Sequence, residues 1–108
     1  MTVAVIQAEN AMIQDRPDIT LTIAGQLEGR SFPVPRYYHR HRLDVAHAHA
    51  SLSQYGEAVA VLKEVRTAAP EWLGQQRYAR DILRQVVGHR RTLTPDMREL
   101  ADFVHLPL

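Results

Sequence analysis

The chain has 108 residues, the size of one domain, and a formal net charge of +1. This charge is far from the strongly basic balance of a dedicated nucleic-acid-binding protein. The absence of cysteine excludes disulfides, thiolate metal sites and cysteine nucleophiles. No apolar run approaches the ~20 residues of a membrane span and the N-terminus has no signal-peptide pattern, so we expect no membrane association and a cytoplasmic location.

The first ambiguous element is the segment 18–28, DITLTIAGQLE. Ile19, Leu21 and Ile23 alternate as they would in a strand, but the same segment also carries apolar residues at helical spacing. We predict a helix, because Asp18 can act as its N-cap and a single strand would have no partner.

The rest of the chain has helical periodicity almost throughout. Residues 29–36, GRSFPVPR, contain one glycine and two prolines and are predicted to form a loop. Tyr55 and Gly56 are predicted to break the chain between two helices, and Thr94 followed by Pro95 predicts a capped helix start. The predicted helices cover about residues 3–14, 18–28, 36–53, 57–68, 70–86 and 95–104.

These lengths and short connections predict an all-α fold of antiparallel helical hairpins stacked side by side. About six helices would form one domain over residues 1–108. No change in composition and no linker divides the chain into two domains.

Four of the six histidines lie between residues 39 and 49, at positions 39, 41, 47 and 49. Two histidines on one helix share a metal ion when they lie three or four residues apart, and none of these pairs does. His39 and His47 share a side, but they are separated by about 12 Å along the axis. We therefore predict no metal site and no cofactor, and interpret the histidines as surface or partly packed residues.

Two arginine sets raise the alternative of weak nucleic-acid binding. Cations and aromatic rings are mixed at the start of the third helix, and a second set shares one face of a later helix. More often such arginines form a solvated face or pair with acids, here Asp44, Glu71 and Asp81. The possible contact residues are Arg36, Arg40 and Arg42, beside Tyr37 and Tyr38, and Arg77, Arg80 and Arg84.

No catalytic pattern is present in the sequence. There is no glycine-rich phosphate loop and no pair of carboxylates in an apolar setting. Asp44 and His47 are i, i+3 neighbours, which we interpret as a surface pair and not as an acid–base dyad. We therefore expect that the chain is not an enzyme and has no catalytic residues.

Residues 37–71 resemble a tetratricopeptide repeat, a pair of antiparallel helices of 34 residues. Ala58 falls on the small residue of the second helix, and Pro70 falls on the closing proline. His49 takes the place usually held by a tyrosine between the two helices, so the resemblance implies a structural role for it. Arg42 departs from the pattern, because a tryptophan is common there.

Over residues 40–104 the order of features is more specific. The segments HRLDVAHAHA, EAVAVL, APEWLGQQRYAR and RTLTPDMRELA resemble the C-terminal tetratricopeptide-like region of XRE-type helix-turn-helix regulators from high-GC bacteria. The resemblance implies a module for self-association or for sensing a partner or small ligand, while a separate domain binds DNA. The chain has no helix-turn-helix segment of its own, so it is either a fragment or a domain that works through partners.

Tetratricopeptide arrays bind peptides on the concave face lined by their first helices. The resemblance therefore implies a protein or peptide partner on this face, which would present Arg40, Leu43, His47, Ala50 and Ser51. Leu43 and His47 do not match the asparagines and lysines of the family's carboxylate clamp, so recognition of a chain-terminal carboxylate is not expected. A mixed face of Arg40, His47 and apolar residues could still accept an acidic or amphipathic helix. The alternative is that this face packs against residues 3–28 and is core.

The C-terminal end carries apolar residues that the sequence leaves without an assigned contact. Phe103, Val104 and Leu106 are expected to be exposed there, where they could pack on a missing domain or on a second copy of the chain. A homodimer is therefore one possible assembly.

Overall fold

A computed structural model of the chain describes residues 2–27, 35–89 and 93–107, with the backbone alone at residues 2–5, 27 and 35–37. This part of the chain is helical and contains no strand, which confirms the predicted all-α class. It contains seven helices: α1 Thr2–Ile13, α2 Pro17–Leu27, α3 Pro35–Ser51, α4 Tyr55–Ala68, α5 Pro70–Gly74, α6 Arg77–Gly88 and α7 Pro95–Phe103.

The first four helices form two antiparallel hairpins. In the α1–α2 hairpin, the hydroxyl group of Thr20 donates a buried hydrogen bond of 2.9 Å to the carbonyl oxygen of Ala8. In the α3–α4 hairpin, the Arg42 guanidinium contacts the Glu64 carboxylate at 2.9 Å. The members of each pair lie at equal distances along the chain from the connecting turn, as antiparallel neighbours do.

The third hairpin consists of α6 and α7, where Nε of Arg80 donates a hydrogen bond of 2.9 Å to the carbonyl oxygen of Val104. Between hairpins, Lys63 of α4 meets Asp96 of α7 at 3.1 Å, and Arg66 meets Glu99 at 3.8 Å. From the first ion pair to the second, the residue number rises by three in both helices, so α4 and α7 run parallel.

The apolar core is continuous from α3 to the segment after α7. Burial of apolar side chains is the main force that holds such helices together. The first hairpin joins this core less extensively, through the partly buried residues Leu21 and Ala24 of α2. The fully buried large apolar residues of the core are Leu43, Leu62, Val65, Leu73, Ile82, Leu83, Val86, Met97 and Leu100.

The predicted helix from residue 70 to residue 86 is in fact two helices. The break lies at Gln75 and Gln76, and Gln76 has an extended backbone with φ −88° and ψ 109°. Leu73 and Ile82 are both at most 1% exposed. In one continuous helix they would point to opposite sides, because nine residues rotate the chain by about 900°. The break allows both side chains to enter the same core.

Two predicted helix starts were also wrong in detail. Helix α2 begins at Pro17, so Asp18 lies in its first turn and is not its N-cap. Helix α4 begins at Tyr55, so Tyr55 and Gly56 begin a helix instead of ending one. The chain turns before them, at Ser53, whose φ of 62° is left-handed.

The predicted start of α7 is confirmed. The hydroxyl oxygen of Thr94 accepts a hydrogen bond of 3.2 Å from the backbone N–H of Met97, and Pro95 occupies the first helical position. Most of the predicted loop 29–36 lies outside the described residues; Pro35 already begins α3. Among the described helices, none is long and apolar enough to cross a membrane.

Candidate functional site

The hydroxyl group of Tyr78 links two helices at the centre of the candidate site. It donates a hydrogen bond of 2.8 Å to Oδ1 of Asp44, and Nδ1 of His47 lies 3.0 Å from the hydroxyl oxygen of Tyr78. The rings of His47 and Tyr78 meet edge to face, with an interplanar angle of 86°. Asp44 and His47 belong to α3 and Tyr78 to α6, so one phenol joins the second hairpin to the third.

This arrangement determines which nitrogen of His47 carries a proton. A phenol has one hydrogen to donate, and Tyr78 gives it to the carboxylate of Asp44. The His47 ring must therefore donate from Nδ1 to the phenol oxygen. In the neutral ring, Nε2 is then left without a proton and is available as an acceptor.

Arg40 lies over this group of side chains. Its guanidinium carbon is 4.6 Å from the centre of the Tyr78 ring, a cation–π distance. The Asp44 carboxylate is 3.9 Å from Nε of Arg40, and the Glu9 carboxylate is 4.0 Å from Nη2. Because the Arg40 and Glu9 side chains are 48% and 44% exposed, these long contacts are open to water and to a partner. Helix α1 thus contributes an acid to the site.

Burial shifts the pKa values of the central groups towards their neutral forms. It raises the pKa of Asp44, against the opposing effects of the Tyr78 hydrogen bond and the Arg40 charge. Burial also raises the pKa of Tyr78, and the neighbouring Asp44 charge raises it further. The pKa of His47 is lowered by burial, and the charge of Asp15 opposes this shift. Tyr78 therefore keeps its proton at neutral pH and donates it to Asp44, while its oxygen accepts from His47.

The carboxylate of Asp44 is only half satisfied. Its Oδ2 is buried and has no hydrogen-bond partner among the described residues, while Oδ1 accepts from Tyr78. A buried charge with one free oxygen is costly, and this agrees with the raised pKa. The prediction that Asp44 and His47 form a surface pair is wrong, because Asp44 is 2% exposed and both residues bond to Tyr78.

The residues of the predicted concave face divide between core and surface. Leu43 and Ala50 are 0% and 2% exposed, so they belong to the core and cannot contact a partner. The alternative that these two residues are core is therefore confirmed. Arg40 remains exposed, and His47 and Ser51 are half-buried.

The arginines of α3 are largely engaged with acids. Arg42 pairs with Glu64 at 2.9 Å on the side of the helix that faces α4. Arg40 contacts Glu9 and Asp44 on another side. The side chain of Arg36 lies outside the described residues. Helix α3 therefore presents no common basic face from Arg40 and Arg42.

The three arginines of α6 are placed differently from one another. Arg80 donates to the carbonyl oxygen of Val104, and Arg84 pairs with Asp81 at 3.0 Å. Arg77 is exposed, and within the described ranges no ion pair involves it. The expected pairing of an arginine with Asp81 is confirmed.

The histidines contact different neighbours. His49 hydrogen-bonds Gln54 at 2.7 Å beside the α3–α4 turn, and His39 lies 5.6 Å from the ring of Trp72. His41 is buried, and burial lowers its pKa. In the part of the chain that the structure describes, no three His, Asp or Glu residues come together as a metal site.

A shallow groove of about 350 Å³ lies between α4 and α7. Gly56, Val59 and Ala60 contribute to its lining, and the Lys63–Asp96 ion pair lies at its edge. Its titratable residues, Lys63, Glu64 and Asp96, have side chains at least 43% exposed, whereas the Asp44 side chain beside Tyr78 is 3% exposed. The group of side chains around Tyr78 is therefore the stronger candidate site.

The sequence did not indicate Glu9 or Tyr78 as site residues. Tyr78 is 34 positions from Asp44 and 31 from His47, so no local pattern relates them. One signal was available, since an acid on a helix surrounded by apolar residues requires a donor when it is buried. Comparison of the chain with models of known protein families, with curated proteins and with solved structures finds no match.

Proposed function

We propose that the chain is a non-enzymatic, cytoplasmic protein-interaction module that binds an acidic or amphipathic helix across α1, α3 and α6. The observation that carries this proposal is the position of Arg40. Its guanidinium lies over the Tyr78 ring at 4.6 Å from the ring centre, half exposed, with only long contacts to Glu9 and Asp44. A carboxylate from a partner can form a shorter, bidentate contact with this guanidinium and replace that of Glu9.

The rest of the site supports this by holding Arg40 and His47 in position. Asp44 and Tyr78 connect the two helices below them, and rigid elements present contact groups more accurately than loops do. His47 adds an acceptor at Nε2, so the face offers a cation beside a neutral polar group. Such a mixture suits an acidic side chain next to a hydroxyl or amide donor.

The family resemblance supports the same role. The stacked antiparallel hairpins, with α4 and α7 parallel, are the observation that supports this resemblance. We infer that the chain serves a bacterial transcriptional regulator whose DNA-binding function lies in a separate domain or partner. The pairing of Arg42, Arg80 and Arg84 gives no support to direct nucleic-acid binding.

The chemistry of the site also supports a non-enzymatic role. Tyr78 has a raised pKa and donates its only proton to Asp44, so it is not a nucleophile at neutral pH. Asp44 itself is buried below the arginine. The Asp44 carboxylate is closed off from solvent, whereas Arg40 is exposed.

Selection of helical peptides from a random display library on the purified chain tests the proposal. We expect the selected peptides to be rich in Asp and Glu, and their affinity, measured by fluorescence anisotropy, to fall at least tenfold in Arg40→Glu. Arg98→Glu is the matched control, because Arg98 is exposed on α7, away from the site, and should leave binding unchanged. Peptides that bind both variants equally would contradict the proposed face.

A further inference from the structure

The C-terminal apolar residues are packed inside the molecule, contrary to the expectation from the sequence. Val104 and Leu106 are 2% and 6% exposed, and Phe103 is partly buried against the core. Exposed apolar side chains lie instead in the first hairpin, where Ile6 and Ile13 of α1 are 49% and 77% exposed. The expectation that the three C-terminal residues are free to pack on another chain is therefore wrong.

Glu9 of α1 and Arg40 of α3 form an exposed pair of opposite charges at the edge of the candidate site. The Oε1 atom of Glu9 lies 4.0 Å from Nη2 of Arg40, and the two side chains are 44% and 48% exposed. On its other side, Arg40 has its Nε atom 3.9 Å from the buried carboxylate of Asp44. Both distances are too long for a hydrogen bond. Within the described ranges, Glu9 and Arg40 therefore keep their capacity to form hydrogen bonds with a partner.

We propose that Glu9 and Arg40 together form a paired-charge site, which selects a partner helix that carries an acid and a base one turn apart. The partner's acid pairs with Arg40 and its base pairs with Glu9. One ion pair within the chain is thus exchanged for two ion pairs between the molecules. This inference rests on the proposed function, and it adds the second charge that the partner must carry.

The balance of charge at the site favours a base on the partner. A partner that brings only carboxylates would displace Glu9 from Arg40 and leave the Glu9 carboxylate facing the partner's acids. Like charges in this position repel each other. The first hairpin brings a further acid to the site, since the charge of Asp15 acts on His47. A base beside the partner's acid removes the repulsion and gives Glu9 a new counter-ion.

The spacing of side chains on a helix fits the distance between the two charges. Side chains three or four positions apart on a helix have Cβ atoms about 5–6 Å apart. The charged groups of Glu9 and Arg40 are 4.0 Å apart, so one turn of a partner helix spans both of them. Because Glu9 belongs to α1 and Arg40 to α3, the packing of the first hairpin against the second creates the site.

The pair of Glu9 and Arg40 is better suited to such an exchange than the pair of Arg42 and Glu64. Exposed ion pairs contribute little to stability, because water competes with them. The contact of Arg42 with Glu64 is a hydrogen bond of 2.9 Å, and the Arg42 side chain is 24% exposed. Arg40 has no such bond to lose, and its guanidinium already rests 4.6 Å from the centre of the Tyr78 ring.

Selection of helical peptides from a random display library on charge variants of the full chain tests this proposal. On the wild type, we expect a Lys or Arg to be enriched one turn from the acid that the selected peptides share. On Glu9→Lys, an Asp or Glu should replace that base. Glu57→Lys is the matched control, because Glu57 is exposed on α4, which contributes no residue to the site, and selection on it should retain the base. No enrichment of a base on the wild type, or its retention on Glu9→Lys, would overturn the proposal.

Glu9→Gln provides a second measurement, which does not depend on folding with a reversed charge. In the tightest peptide selected on the wild type, replacement of the base by glutamine should weaken binding to the wild type by about threefold, as expected for one exposed ion pair. The same replacement should leave the affinity for Glu9→Gln unchanged, as measured by fluorescence anisotropy. Equal losses of affinity for the two chains would contradict the pairing of the base with Glu9.

The outcomes separate failure of this inference from failure of the proposed function. Acidic peptides that lose affinity for Arg40→Glu but show no preference for a base would overturn only the paired-charge site. If selection on the wild type yields no peptide whose binding depends on Arg40, both proposals are overturned.

Discussion

The phenol of Tyr78 donates a hydrogen bond of 2.8 Å to the carboxylate of Asp44, across 34 positions of sequence. This bond joins α3 to α6 where an acid is buried at 2% exposure. An ionised carboxylate in such a place requires a donor, and Tyr78 is the one that the described structure provides. The bond thus stabilises the packing of the second and third hairpins and supports the face that carries Arg40.

Tyr78→Phe removes that donor while keeping the ring. We expect the free energy of unfolding to fall by about 1–3 kcal/mol, because Asp44 stays buried without its partner. Urea denaturation at neutral pH measures this loss. Tyr55→Phe is the matched control, since the Tyr55 hydroxyl makes only an exposed contact of 3.5 Å to Ser53 and its removal should cost little. Equal losses in the two variants would show that the Tyr78–Asp44 bond is not significant.

Acidification should destabilise the chain through His47. Its folded pKa lies below the usual 6.5 because of burial, so the folded state binds the proton less readily than the unfolded state. The stabilisation is complete above pH 6.5 and decreases as the pH falls from 6.5 through the lowered pKa. His41 has a shift of the same direction and adds to the effect.

Thermal denaturation between about pH 7 and pH 5 measures this dependence. His47→Gln keeps a donor for the Tyr78 oxygen but cannot be protonated, so the midpoint should fall less steeply with acid than in the wild type. Asp44 acts in the opposite direction at lower pH, because its raised pKa favours the folded state as it becomes protonated. If the unfolding midpoint of His47→Gln falls with pH as steeply as that of the wild type, His47 is not the cause of the acid destabilisation.

Leu43→Ala tests whether the predicted partner face is core at this position. Leu43 is 0% exposed, so its truncation should lower the free energy of unfolding by about 2–5 kcal/mol. Leu52→Ala removes the same atoms from a side chain that is 40% exposed, so it should lower the free energy of unfolding by clearly less. Chemical denaturation of both variants gives the comparison. A small loss in Leu43→Ala would mean that the residue faces solvent.

Thr94→Ala should lower stability by about 1 kcal/mol, because it removes the side-chain acceptor that caps α7 at Met97. The same change at Thr67 should be neutral or slightly stabilising. Thr67 bonds the Lys63 carbonyl oxygen within α4, and alanine is the better residue inside a helix. Thermal unfolding of the two variants distinguishes them, and losses of equal size would contradict the cap.

The sequence by itself determined the all-α class and most helix positions. Period and capping are local properties, and the Thr94–Pro95 pattern marked the start of α7 correctly, whereas Asp18 and Tyr55 did not mark helix boundaries as predicted. The sequence did not indicate the break at Gln75 and Gln76. That break is set by tertiary packing, because Leu73 and Ile82 must both enter the same core.

Only the tertiary structure decided the candidate site. In the sequence, Asp44 and His47 are two polar residues on a histidine-rich helix, and the apolar neighbours of Asp44 do not identify its hydrogen-bond donor. Their common partner Tyr78 comes from the third hairpin, and it reaches them because hairpin stacking brings α6 against α3. The same stacking leaves Ile6 and Ile13 outside, because α1 ends the array and has no further described hairpin to cover it. Hydrophobic periodicity indicates that a helix has an apolar side, but the packing of neighbouring helices determines which apolar residues remain exposed.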